Sequence, residues 1–183
     1  MDNKEFIRQK GSVENLIFYK KAVCIYDITY YFAHTYLQKG DRTIDQMVQA
    51  ARSGKQNIVE GCSASTTSTE SEIKLINVAR ASLQELLEDY KDYLRVRGLQ
   101  QWKTNDRRYL QTRRVCATHN DTTYYAAAIK ERSDETIANI AITLIHQTDC
   151  LIRSYFNRIK QDFLENGGLR EEMTRERIKY RQK

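Results

Sequence analysis

Proline is absent from the chain of 183 residues, and its seven glycines fall mainly where amphipathic runs stop, as is typical of helix ends. The four cysteines form no CxxC pair and have no histidine at a metal-ligand spacing. No apolar stretch approaches the roughly 20 residues that cross a bilayer, and no secretory segment opens the chain. These absences predict an all-α, cytoplasmic protein with free thiols, no metal, no cofactor and no membrane partner.

Charge is spread unevenly along the chain, whose net value is +6. The net charge is +1 over residues 1–98, +4 over 99–133, −2 over 134–168 and +3 over 169–183. The central excess includes Arg107, Arg108, Arg113 and Arg114. Such clusters contact phosphate backbones electrostatically, or they form solvated surface, and both interpretations stay open.

Apolar residues recur every three or four positions in four long segments. They predict helices over residues 13–38, 43–61, 69–97 and 133–166. The order of helices predicts an elongated, antiparallel, up-down-up-down four-helix bundle over residues 13–168. Residues 1–12 are predicted to be a flexible N-terminus, and residues 169–183 a basic tail from which Leu169, Met173 and Ile178 can dock.

Residues 99–132, between the third and fourth predicted helices, are too many for a simple bundle loop. We expect a helical insertion there, with short helices near residues 106–116 and 122–131. Trp102, Tyr109, Tyr124 and Tyr125 accompany its arginines. Arginine next to aromatic rings can hold single-stranded nucleic acid without sequence preference.

Local signals mark helix ends and helix contacts. Thr43 with Gln46, and Thr69 with Glu72, have the spacing of capping boxes. Gly54 lies inside the second predicted helix at a cost of about 1 kcal/mol, which predicts that another helix backbone passes close by.

The first helix carries additional tyrosines outside its apolar stripe, at Tyr19, Tyr26, Tyr30 and Tyr31. They indicate a partly buried surface, with contact across a subunit boundary as the alternative.

The run from Arg52 to Gly61 contains Gly-Lys but lacks the glycine spacing and preceding strand of a phosphate loop. We interpret Arg52, Asn57 and Glu60 as residues that hold helices together through hydrogen bonds and an ion pair. The three histidines lie on three separate elements, and no acid, base and nucleophile converge. The sequence therefore predicts a protein that is not an enzyme.

Two stretches carry a family resemblance. The first is Arg52-Ser53 followed by Asn57-Ile58-Val59-Glu60-Gly61. The second runs from Asn77 to Leu86, and its last six residues are Ala-Ser-Leu-Gln-Glu-Leu. They resemble the bacterial four-helix-bundle proteins encoded in 23S rRNA intervening sequences and their suffix-domain branch. Val59, where alanine is usual, and the Gly54-Lys55 pair depart from that pattern. The structural motif positions are Arg52, Asn57, Glu60, Gly61, Ser82 and Glu85.

The resemblance extends to the accessory variability protein of diversity-generating retroelements, a basic pentameric barrel that binds a reverse transcriptase and nucleic acid. It implies a ring-like homo-oligomer, with a pentamer as the nearest precedent. RNA, DNA or a nucleic-acid enzyme is the expected partner, with Arg107, Arg108, Arg113 and Arg114 on phosphates. The alternative is a scaffold in which these arginines pair with acidic groups of a neighbouring subunit, such as Glu85, Glu88, Asp89 and Asp92.

Overall fold

The computed structural model describes residues 12–182, and this part of the chain is 82% helical with no strand. A 3-10 turn, Val13–Asn15, precedes the first long helix. The α-helices are α1 Ile17–Tyr36, α2 Arg42–Ala64, α3 Thr69–Val96, α4 Arg107–Thr118, α5 Thr122–Ile129, α6 Asp134–Asn166 and α7 Leu169–Arg181. The predicted all-α class is confirmed.

The caps of α2 and α3 differ from the predicted ones. The Asp41 carboxylate accepts from the Thr43 backbone N–H at 2.9 Å, so α2 begins before Thr43. The Ser68 hydroxyl accepts from the Ser71 backbone N–H at 3.1 Å, so Ser68 caps α3 in place of Thr69. Both predicted capping boxes are therefore wrong. In each case an earlier side chain already satisfies an amide that the helix start leaves unpaired.

Two glycines bring α2 into close contact with α3. A Cβ atom at Gly54 would lie 2.8 Å from Leu83 Cγ, and one at Gly61 would lie 2.8 Å from Ile76 Cγ1. The close approach predicted from Gly54 is confirmed. Gly61, predicted to end its helix, instead lies inside α2, which continues to Ala64.

The four long helices share one apolar interior. α1 packs against α2, α2 against α3, α3 against α6, and α6 against α1. A large cluster around Phe32, Leu86 and Tyr90 fills most of the interior, and a smaller one around Phe18 and Tyr155 fills the remainder.

The segment between α3 and α6 covers the outside of this interior. α4 packs on α6, and α5 packs on α1 through the buried side chains of Tyr125 and Ile129. Every residue of α6 from Ile137 to Ile145 is buried as a result. A helix that is apolar all round is one covered on every side.

Of the three residues of the last helix, α7, that the sequence suggests can dock, Leu169 is half-buried, whereas Met173 and Ile178 are exposed. None of the residues of α7 is buried, and Met173 and Ile178 are 45% and 51% exposed. Its excess of charged residues leaves too narrow an apolar stripe to cover. Residues 1–11 of the predicted flexible N-terminus lie outside the described residues. None of the helices in residues 12–182 is both long and apolar enough to span a membrane.

Candidate nucleic-acid interface

The four predicted arginines lie on α4, which contains no acidic residue. Asp106 caps the helix by accepting from the Arg108 backbone N–H at 2.8 Å. Only Cys116 of α4 is buried, and the Gln147 amide on α6 donates to the Arg113 carbonyl at 2.8 Å. One face of α4 thus rests on α6 and the opposite face is open.

Arg108 differs from the other three arginines because carboxylates of the same chain compensate its positive charge. Its guanidinium pairs with Asp106 at 2.8 Å and with Glu135 at 3.4 Å, and it donates to Gln100 Oε1 at 2.7 Å. The hydrogen bonds from Arg108 hold the pKa of Asp106 below its usual value. These contacts attach the start of α4 to α6. Because two carboxylates already compensate the charge of Arg108, this residue attracts a phosphate less than the other three arginines do.

Arg107, Arg113 and Arg114 are exposed, and none of them makes an ion pair with any residue in the range 12–182. Arg107 and Arg114 are seven residues apart, which places them on the same helix face about 10 Å apart. Three uncompensated guanidinium groups on one short helix form a surface that attracts phosphate.

A buried lysine on α1 holds the other end of α4. The Lys21 Nζ donates to the Cys116 carbonyl, which belongs to the last turn of α4. A lysine at that place satisfies a carbonyl that the helix end leaves unpaired. Burial lowers the pKa of Lys21 and raises the pKa of Cys24 to about 12. No sequence pattern indicates this role, because Lys21 follows Lys20 and looks like one of two surface cations.

A cavity of about 210 Å³ lies between α4, α5 and the start of α6. Its wall includes Trp102, Arg108, Tyr124 and Arg132, and it contains no carboxylate. The Trp102 side chain is 8% exposed, and its Nε1 is buried without an acceptor among the described residues. Sequence reasoning missed this cavity, since its residues come from separate elements that only the fold brings together.

The structural motif positions divide into two groups. Asn57 Nδ2 donates to the Ser53 carbonyl at 2.9 Å, and the Ser53 and Ser82 hydroxyls lie 2.9 Å apart across α2 and α3. Arg52 and Glu60, by contrast, are exposed and make no ion pair within residues 12–182. The ion pair predicted for them is wrong, because both side chains lie on the outer side of α2. Glu85 is also exposed, on α3.

Buried polar contacts that the sequence did not predict join α3 to α6. The Glu72 carboxylate is fully buried and accepts from the Tyr155 hydroxyl. Farther along, Arg80 pairs with the buried Asp149 at 2.5 Å. A period of three or four residues in the sequence predicts apolar faces, and it gives no sign of a carboxylate buried on one.

The histidines lie apart, as the sequence indicates. His34 Nδ1 donates to the Tyr30 carbonyl, His119 stacks on Tyr124 with ring centroids 3.9 Å apart, and His146 lies on the outer side of α6. Partial burial and the Lys91 ammonium lower the pKa of His146. Within the described range, no three His, Cys, Asp or Glu side chains are grouped as metal ligands.

Comparisons with protein-family models, curated proteins and solved structures found no match. The resemblance to intervening-sequence proteins therefore stays a prediction from the motif residues.

Proposed function

We propose that this protein is a homo-oligomeric, non-enzymatic four-helix-bundle protein that presents α4 to nucleic acid, alone or together with a nucleic-acid enzyme. The observation that carries the proposal is the set of three exposed guanidinium groups, of Arg107, Arg113 and Arg114, on a helix without an acidic residue. Their phosphate contacts would be independent of sequence, since phosphates carry no base information.

The bundle arrangement is part of this proposal, with α1, α2, α3 and α6 in up-down-up-down order. Its support is the order of helix contacts and the register of side chains. Gly54 meets Leu83 and Gly61 meets Ile76, so α2 and α3 run in opposite directions. Glu72 meets Tyr155 and Arg80 meets Asp149, so α3 and α6 do so as well. Membership of the intervening-sequence family is also part of the proposal, and its support is the two motif stretches from Arg52 to Gly61 and from Asn77 to Leu86.

Self-association is supported by an aromatic row on α1, whereas a ring with five subunits as the expected number rests on the family resemblance alone. Tyr30 is 50% exposed, and its ring lies 6.4 Å from Tyr26 and 4.2 Å from His34. Aromatic residues of this kind are enriched at subunit contacts.

The test is a salt titration of binding to fluorescent single-stranded RNA and to duplex DNA. We expect affinity to fall steeply with salt, because each phosphate contact contributes about 0.7 to 0.9 to the slope of log K against log salt. The triple variant R107Q/R113Q/R114Q should lower that slope by about 2. The matched control, K20Q/R52Q/K160Q, removes the same charge from other exposed positions and should bind almost as the parent does. Absence of binding at about 50 mM salt would contradict the proposal.

A second function, a scaffold without nucleic-acid binding, is favoured by one observation on α3. Burial, with the carboxylates of Glu85 and Asp92, raises the pKa of Asp89, which makes no ion pair within residues 12–182, whereas Glu88 pairs with Lys91 and Asp92 with Arg95. Arginines of a neighbouring copy would neutralise Asp89. If the triple α4 variant lowers the mass measured by light scattering, the scaffold is supported. If the mass is unchanged and nucleic-acid binding weakens, the first function is supported.

A further inference from the structure

The cavity between α4, α5 and the start of α6 has a composition that matches a particular class of ligand. Its volume is about 210 Å³, which accommodates one small ring system with a substituent. Its wall combines the aromatic residues Trp102 and Tyr124 with the aliphatic side chains of Val115 and Ile140. A flat, largely apolar molecule suits such a wall.

The charge of the cavity is positive. Arg108 and Arg132 line it, and no aspartate or glutamate does. Arg108 is neutralised by Asp106 and Glu135, but Arg132 donates only to the Ala128 carbonyl, at 2.9 Å, and pairs with no carboxylate in the described part of the chain. The cavity therefore offers one uncompensated guanidinium, the group that binds carboxylates best.

Trp102, in the wall of the cavity, has an unused hydrogen-bond donor. The residue is 8% exposed, and its Nε1 is buried with no acceptor within residues 12–182. Buried indole N–H groups normally have a partner. The backbone of Trp102 is fixed independently, because its N–H donates to the Asn139 side chain at 2.8 Å.

We propose that this cavity binds a small aromatic carboxylate, with the carboxylate on Arg132, the ring between the aromatic and aliphatic walls, and an acceptor atom of the ligand on Trp102 Nε1. The site is separate from the outward face of α4 that the proposed function uses. The ligand class follows from the three features together, since a nucleic-acid duplex is too large for the cavity and an uncharged ring would leave Arg132 unpaired.

The chain's single tryptophan makes the test direct. Trp102 gives one indole N–H signal in a nitrogen–proton NMR spectrum of the full chain, which is titrated with nicotinate to about 10 mM. Nicotinate carries both a carboxylate and a ring acceptor, and nicotinamide is its uncharged counterpart. We expect a saturable downfield shift of the indole N–H with nicotinate and at least about a tenfold weaker response with nicotinamide. No shift with nicotinate, or equal shifts with both, would overturn the proposal.

Two variants and one control separate the site from general charge effects. R132Q removes the guanidinium and should weaken nicotinate about tenfold, while A128L fills the cavity without changing charge and should abolish binding. R114Q removes the same charge from the exposed face of α4 and should leave nicotinate binding unchanged. Undiminished binding in both R132Q and A128L, with native spectra, would contradict the site. Because R114Q affects only the proposed nucleic-acid surface, failure of one proposal is distinguishable from failure of the other.

Discussion

At the scale of single residues, atoms of α3 leave no space for a side chain at Gly61. Replacing it with alanine would favour the helix by about 1 kcal/mol. The new Cβ would also lie 2.8 Å from Ile76 Cγ1 and 3.3 Å from the Glu72 carbonyl oxygen, neither of which is the end of a flexible chain. We expect G61A to lower the free energy of unfolding by about 1 to 2 kcal/mol, measured by urea denaturation.

The matched background for this variant is I76A, which removes the atom that the new Cβ would meet. In that background G61A should cost less than about 0.5 kcal/mol. Equal costs in the two backgrounds would show that crowding against Ile76 is not the reason for the glycine.

Asp149 is the buried acid whose partners hold it ionised. Burial alone would raise the pKa of Asp149, but hydrogen bonds from Arg80 and Arg153 outweigh it, and the net pKa is lowered. Its stabilising contribution is therefore present above the unfolded-state pKa, about 4, and is lost as pH falls through the lower folded value.

We expect D149N to lower the free energy of unfolding at pH 7 by about 2 kcal/mol and to flatten its dependence on pH below about 4. The control is D92N, which breaks the exposed pair with Arg95 at 2.7 Å and should cost less than about 0.5 kcal/mol. A loss in D149N no larger than in D92N would rule out a stabilising role for the buried pair.

Alkaline pH acts through Cys24. Burial raises the pKa of its thiol to about 12 from an ordinary value near 9.0, so the unfolded chain loses that proton first. Above about pH 9 the unfolded state binds fewer protons, and stability falls by up to about 1.4 kcal/mol per pH unit. C24A should flatten this slope in urea titrations between pH 9 and 11, and an unchanged slope would assign it to other groups.

At the scale of elements, the sequence predicted where the long helices lie, but it predicted only some of the contacts between them. Apolar residues spaced three or four apart located α1, α2, α3 and α6, because burial of one face sets that spacing. Gly54 predicted that another helix passes close by, and the structure shows that this helix is α3. The caps were missed, since Asp41 and Thr43, or Ser68 and Thr69, are equally able to cap and only the path of the chain decides between them.

Asn139 is the residue that attaches the connection after α3 to α6. Its Oδ1 accepts from the Trp102 backbone N–H at 2.8 Å, and its Nδ2 donates to the Gln100 carbonyl at 2.9 Å. N139A leaves the buried Trp102 N–H and the partly buried Gln100 carbonyl unpaired and should cost about 2 to 3 kcal/mol. Hydrogen exchange should show faster exchange at Trp102 and unchanged protection at the centre of α3; equal loss of protection at both would contradict a local role.

At the scale of the whole molecule, the sequence predicted where the charged residues lie along the chain, but it did not predict which of them are compensated by ion pairs. The sequence located the arginines of α4 correctly as one basic segment. It could not show that Arg108 pairs with Glu135, 27 residues away, or that Trp102, Tyr124 and Arg132 line one cavity. Contacts between residues far apart in sequence depend on how α4 and α5 fold back, which no local pattern encodes.

The aromatic row on α1 leads to a prediction about assembly. Y30K places a charge in the middle of the row and should lower the mass measured by light scattering, with the helical circular dichroism retained. Y180K is the control, because Tyr180 is 82% exposed on α7 and outside the row. An unchanged mass in Y30K, or an equal decrease in Y180K, would exclude the row as the subunit contact.

The complete burial of α6 between Ile137 and Ile145 has a consequence for the order of synthesis. Residues 99–132, which cover its outer side, leave the ribosome before α6 does, and chains begin to fold from the N-terminal side as they emerge. The cover is therefore available when this buried stretch of α6 appears. A circular permutant that placed α4 and α5 after α6 would release that helix uncovered, and aggregation during expression would be the cost.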